Sequence, residues 1–321
     1  MKQLKIIFMG TSDFAVFSLK KLIKESCNIS LVATQPDRKK GRGKKLLPPP
    51  VKTAALKANL NIIQPETIAD KKFEETIKGL APDLLIVTSF GHILKKPLLD
   101  IPSIGAINIH ASLLPKYRGA SPIHSAIINR EKETGVTTIF MDEGVDTGNI
   151  INSVKIAIKA DDTAATLHDK LGLLGADLLI KTLKQIAENN ITSYPQNNNN
   201  ATYTRIFKKK DGNINWNKPA KLIEAFIRGM NPWPSAFTYL NDKRFKIFKA
   251  KVVNHQYSNA AAPGTVIYKT AEELLVSTQS LALSILEIQA DSGKKLKIKN
   301  FLSGFAISED AIFSGVSNNA S

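Results

Sequence analysis

One stretch of the 321-residue chain concentrates side chains that could do chemistry. It runs Asn108-Ile-His110-Ala-Ser112-Leu-Leu-Pro115-Lys-Tyr-Arg-Gly119, and further along comes Asp142-Glu-Gly-Val-Asp146-Thr-Gly148. On a strand end, Asn108 and His110 project to the same side, because extended side chains alternate. An asparagine amide can donate to a developing oxyanion, and a histidine can move a proton near neutral pH. Asp146, in a turn between Gly144 and Gly148, can orient an imidazole and stabilise its protonated form. No nucleophile stands beside them: Cys27 is remote in sequence and Ser112 is not in a nucleophile elbow. The set suits direct acyl transfer to an amine without a covalent enzyme intermediate. The residues alone leave a second reading open, a core histidine with Asn and Asp serving as turn formers.

A second feature is electrostatic. Residues 38–45, RKKGRGKK, hold six positive side chains in eight positions. They form no phosphate-cradling P-loop, because Leu46 follows Lys45 where a Ser or Thr would be needed. A flexible basic loop suits an RNA backbone, where positive charge supplies affinity; a solvated charge run is the alternative. The net charge of +16 is uneven: residues 1–50 and 201–321 each carry +8, and residues 51–200 are neutral. Arg205, Lys208, Lys209 and Lys210 add a weaker basic cluster. A polyanionic partner touching both ends of the chain would explain the pattern.

The elements that must position these residues follow from hydrophobic patterning. Short apolar runs at 4–9, 29–34, 61–64, 84–88, 105–110 and 137–141 alternate with a helix capped by Ser12 or Asp13 and carrying Phe14, Phe17, Leu22 and Ile23, and with helical segments near 51–59 and 69–79. That alternation predicts a doubly wound, mostly parallel, Rossmann-like α/β sheet, with ligands beyond the carboxyl ends of its strands. Leu167, Leu171, Leu174 and Leu178 form a core stripe on a helix over 163–188. The Asn-rich 189–205 reads as a linker. A helix over 221–229 and short strands around 236–240, 245–253, 264–268, 274–277, 282–288 and 296–300 predict a small OB-like β-barrel. The expected domains are therefore 1–188, catalytic, and 206–321, the barrel. Trp233, in Asn231-Pro-Trp-Pro, is expected in the barrel core.

Composition excludes several classes. With 43% hydrophobic and 22% charged residues the chain is not disordered. No apolar run approaches the roughly 20 residues of a membrane-spanning helix. The N-terminus reads as a buried strand rather than a signal peptide. One cysteine and five scattered histidines give neither a disulfide nor a zinc spacing. A cytoplasmic protein without a metal or membrane partner is expected.

The Asn108-x-His110-x-Ser112-Leu113-Leu114-Pro115 run with Asp146 resembles the signature of the folate-dependent formyltransferases. The resemblance covers nearly the whole chain, through FMGTSDFA at 8–15, TQPDRKKGRGKKLLPPPVK at 34–52, ETGVTTIFMDEGVDTG at 133–148, IRGMNPWPSAF at 227–237 and APGTVI at 262–267. The Asn-x-His and Asp set is common to that superfamily. The basic loop and the barrel motifs point to its methionyl-tRNA formyltransferase branch.

The resemblance implies Asn108, His110 and Asp146 as catalytic residues. It implies Ser112, Leu113, Leu114 and Pro115 as part of the tetrahydrofolate site, with the 90–94 turn and the 142–146 loop as further pterin walls. It implies Arg42, Lys44 and Lys45 as tRNA contacts, and 206–321 as a tRNA-binding domain. The implied reaction moves a formyl group from 10-formyltetrahydrofolate to the α-amine of methionine on initiator tRNA without a metal; a monomer is expected. His92 replaces a usually apolar residue and is expected to be a bystander; Ser12 replaces a usual proline.

Two alternatives share parts of this pattern. A formyltransferase acting on an amino-sugar nucleotide would not need the basic loop. A non-enzymatic RNA-binding protein would not need Asn108, His110 and Asp146. A nicotinamide-dependent dehydrogenase fails for want of G-x-G-x-x-G after the first strand.

Overall fold

The computed structural model describes residues 4–40, 43, 45–254 and 261–315. It divides into two compact units: residues 1–122, 133–157 and 168–204 form the first, and residues 123–132, 158–167 and 205–321 the second. No described helix is long and apolar enough to cross a membrane.

The first unit begins β1 (Lys5–Gly10), α1 (Asp13–Lys24), β2 (Asn28–Ala33), β3 (Arg38–Lys40), β4 (Lys45–Leu47), α2 (Pro50–Lys57), β5 (Ile62–Ile63), α3 (Lys71–Leu80), β6 (Leu84–Thr88), α4 (Lys96–Leu99), β7 (Gly105–His110) and β8 (Arg118–Gly119). After α5 (Pro122–Ile128) come β9 (Glu133–Phe140), β10 (Ile150–Ala157), α6 (Ala164–Ala187) and β11 (Tyr203–Thr204). Seven strands make one sheet in the order β10-β9-β7-β6-β1-β2-β5. β7, β6, β1, β2 and β5 run parallel, whereas β9 is antiparallel to β7 and β10 to β9.

The central strands are buried on both faces, which is why they read as unbroken apolar runs. Ile7, Met9, Leu85 and Val87 pack with Phe73, Ile77 and Leu98 on one side, while Ile6 and Phe8 are buried on the other. Leu167, Leu171 and Leu178 of α6 are buried as the stripe required. Strand order reverses around β1, so β7 delivers Asn108 and His110 to the carboxyl edge.

The second unit contains α7 (Ala220–Gly229), β12 (Ala236–Leu240), β13 (Lys243–Val253), β14 (Val266–Lys269), β15 (Leu274–Ser277), β16 (Ala282–Ala290), β17 (Leu296–Lys297) and α8 (Ile298–Leu302). Its antiparallel sheet runs β12-β13-β16-β15-β14, with β17 on β16. Bridges from Ser314 to Tyr239 and from Ile312 to Thr265 tie the β12 and β14 sides together through residues 312–314. Around Phe245 the rings of Phe301, Phe305 and Phe313 meet edge to face. Trp216 stacks on Phe313, and its indole N–H donates to Thr238 at 3.0 Å.

Two expectations need correction. Trp233 is 49% exposed, and Trp216 takes the core position instead. Residues 298–302 are helical rather than extended, because Ile298 and Phe301, three apart, both turn into the core.

Candidate active site

Asp146 is the centre of the site. Its Oδ1 accepts from Asn108 Nδ2 at 2.9 Å, and its Oδ2 accepts from the Gly119 backbone N–H at 2.8 Å. The same Oδ2 lies 3.3 Å from His110 Nδ1. The three residues named from sequence therefore converge on one carboxylate. Asp146 has φ 55°, a left-handed conformation that Asp tolerates better than most residues. Gly119 has φ 103°, and a Cβ there would meet the Thr204 carbonyl oxygen, so only glycine fits.

The acceptor-only carboxylate fixes the Asn108 amide orientation: one N–H is spent on Asp146 and the second remains available. His110 is 6% exposed, and its Nε2 lies 2.9 Å from the Tyr117 carbonyl oxygen. Both ring nitrogens thus face oxygen acceptors. In this geometry His110 has no free nitrogen to offer a substrate directly.

The residues expected along the folate site divide. Ser112 is fully buried and donates to Lys116 O at 2.6 Å; Leu114 packs with Ile139 and Ile150. Thr137, paired with His110 across the sheet, donates to Ser112 O at 2.7 Å and accepts from Leu114 N at 3.2 Å. These two side chains hold the turn, while Leu113 and Pro115 are half-buried. On the loops after β6 and β9, Ile93 is 64% and Val145 47% exposed. Met141, at the start of the second loop, packs against the cluster that holds Phe90 and Leu94 of the first.

His92 Nε2 is buried and has no hydrogen-bond partner among the described residues. Burial, and then the Arg38 charge, hold its pKa below the ordinary imidazole value.

The basic loop is a hairpin, β3 pairing with β4 antiparallel. Arg38, Lys39 and Lys45 are exposed along it, as are Leu46 and Leu47; Arg42 and Lys44 lie outside the described residues. Its root is fixed by an Asp37–Lys52 ion pair at 2.8 Å and by Gln64, which donates to Asp37 at 2.8 Å. Those contacts, Lys52 first, hold the Asp37 carboxyl below the usual carboxylate range.

Sequence reasoning passed over residues 196–204. In the structure this stretch, read from composition as part of a linker, is hydrogen-bonded into the first unit. Thr202 Oγ1 accepts from Tyr117 N at 2.8 Å, and β11 pairs with β8. Gln196, Asn198 and Tyr203 surround Arg118, which is 1% exposed. An Asn-rich composition signals turns but does not say where amide side chains find partners.

Comparisons with known proteins give the chain a family. The formyl transferase family model matches residues 3–183, and the model of the formyl transferase C-terminal domain matches 206–306. A methionyl-tRNA formyltransferase of Thermodesulfovibrio yellowstonii is 48% identical over 304 residues, covering 95% of this chain and 97% of the relative. One from Caldanaerobacter subterraneus subsp. tengcongensis is 46% identical over 310 residues, covering 96% and 99%. Among solved structures, an N-formyltransferase from Helicobacter canadensis in complex with folinic acid and dTDP-3-aminofucose superposes with TM-score 0.65 at 25% identity, covering 88% of this chain and 98% of that one. HypX from Aquifex aeolicus in complex with tetrahydrofolic acid gives 0.64 at 14% identity over 97% of this chain and 51% of that one, a likeness of fold alone. With both family models matched and relatives so similar along nearly their whole length, the chain belongs to the formyl transferase family, in its methionyl-tRNA formyltransferase branch.

Proposed function

We propose that this enzyme transfers the formyl group of 10-formyltetrahydrofolate to the α-amine of methionine on initiator tRNA, in the cytoplasm and as a monomer. The observation that carries the chemistry is the single Asp146 carboxylate holding Asn108, His110 and the Gly119 N–H at once. The acceptor follows from the relatives' names and from the basic hairpin.

The donor supplies an N-formyl carbon open to attack by a neutral amine. Asn108, its amide fixed by Asp146, directs its remaining N–H to the oxyanion that forms on that carbon; such a donor is worth about 10²–10³ in rate. His110, held between the Asp146 carboxylate and the Tyr117 carbonyl, keeps its imidazole beside that oxygen. Asp146 keeps both side chains in register through the step. The proton lost by the amine passes to the leaving nitrogen through water or through His110 after it releases one partner.

The loops bearing Ile93 and Val145 fit the flat pterin, with Leu113 and Pro115 at the turn. Arg42, Lys44 and Lys45 would meet the tRNA backbone, and residues 206–321 would supply the second basic surface. The reading of 1–188 as catalytic domain stands beside that assignment.

Transfer of labelled formyl from 10-formyltetrahydrofolate to Met-tRNA, set against free methionine and amino-sugar nucleotides, tests the assignment. Preference for an amino-sugar nucleotide would overturn it.

A further inference from the structure

Arg118 is a fully buried guanidinium with no carboxylate in ion-pair reach among the described residues. Its acceptors are neutral: Gln196 Oε1 takes Nε at 3.0 Å and Nη2 at 2.8 Å, Asn198 Oδ1 takes Nη2 at 2.8 Å, and the Tyr203 hydroxyl takes Nη1 at 3.2 Å. Burying a charge on neutral partners is costly, and a fold concerned only with stability would place a carboxylate or an apolar side chain here.

The arrangement has a consequence for Gln196. With Oε1 committed to two guanidinium N–H groups, the amide orientation is fixed and Nε2 points away. Nε2 then donates to Asp146 O and Gly148 O, both at 2.8 Å. An amide saturated at both ends is a rigid spacer between Arg118 and the backbone on either side of Thr147. Arg118 is also followed by Gly119, whose N–H holds the Asp146 carboxylate.

We propose that Arg118 and Gln196 are positioning residues for formyl transfer. They clamp the Asp146 backbone so that its carboxylate stays on Asn108 and His110. The inference rests on the catalytic assignment of Asp146 made above.

Gln196→Glu separates positioning from simple neutralisation of a buried charge. A carboxylate there pairs more strongly with Arg118, so the fold keeps its stability. It offers no N–H, however, and repels the carbonyls of Asp146 and Gly148. The clamp predicts that Gln196→Glu and Gln196→Ala both lose tenfold or more in kcat, with KM for 10-formyltetrahydrofolate and for Met-tRNA within twofold of wild type. The His110 ring resonances in Gln196→Glu should move toward those of Asp146→Asn. Arg118→Lys, which keeps charge but loses the fork, should be slowed several-fold.

Gln196→Glu turning over at the wild-type rate with Asp146→Asn slow would overturn the clamp alone. A fast Asp146→Asn enzyme would overturn the catalytic assignment and the clamp together.

Discussion

The Asp146 site and the basic hairpin handle polar groups in opposite ways. Around Asp146, most polar groups are tied to one another, and even a guanidinium is held without a counter-charge among the described residues. Along β3 and β4, Arg38, Lys39 and Lys45 face solvent, and the root is tied down by Asp37, Lys52 and Gln64. Preorganised dipoles act on charge that develops over a fraction of an ångström, so they must not move. Solvated lysines act on a phosphate backbone many ångströms long, where adaptability costs little and salt screens the attraction. On the function proposed above, the first region acts on kcat and the second on KM and its salt dependence.

The largest expected effect tests the rigid half. Asp146→Asn keeps a residue that tolerates the left-handed backbone, so the fold should survive while the charge is lost. We expect kcat to fall by about 10³ or more, with a circular dichroism spectrum like wild type; a loss below tenfold would break the distinction. Asn108→Ala should lower kcat by about 10²–10³, since it removes one oxyanion donor, and leave both KM values nearly unchanged. Steady-state kinetics with each substrate varied in turn would show whether the loss falls on KM instead.

The hairpin should behave differently. Arg38, Lys39 and Lys45 replaced together by Ala should raise KM for Met-tRNA several-fold, leaving that for the folate donor unchanged. The log–log salt slope of tRNA affinity should become shallower by about 0.7–0.9 for each phosphate that is no longer neutralised. An unaltered slope would make the hairpin charge mere surface.

The smallest effect concerns His92. Its folded pKa lies below the unfolded value, so the unfolded chain binds the extra proton first. The stability this contributes is complete above the unfolded pKa and is lost as pH falls through the folded one. Melting temperatures measured from pH 7.5 down to 5 should therefore drop less for His92→Leu than for wild type. Parallel curves would remove His92 from the balance.

That Asn108 and His110 share a side is legible from strand alternation, but their grouping with Asp146 comes from the resemblance to the formyltransferases, since a core histidine with turn-forming Asn and Asp fits the bare residues equally. The parallel core is legible because strands buried on both faces leave continuous apolar runs. β10 is not, since an edge strand places polar residues such as Asn152 and Lys155 along its length and breaks the run. The Gln196–Arg118 pairing is the hardest to see. It joins positions 78 residues apart, and nothing in an Asn-rich composition distinguishes an amide that braces a site from one that faces water.

The strand segment at 312–314 has a consequence for synthesis. Until it emerges from the ribosome, the outer sides of β12 at Tyr239 and of the chain at Thr265 lack these bridges, and the second unit carries two partly open sheet edges. Unpaired edges are templates for joining another chain. A polypeptide halted before Ile312 would thus carry most of its aromatic core together with an adhesive rim. The cell therefore has reason to degrade such a fragment quickly rather than store it.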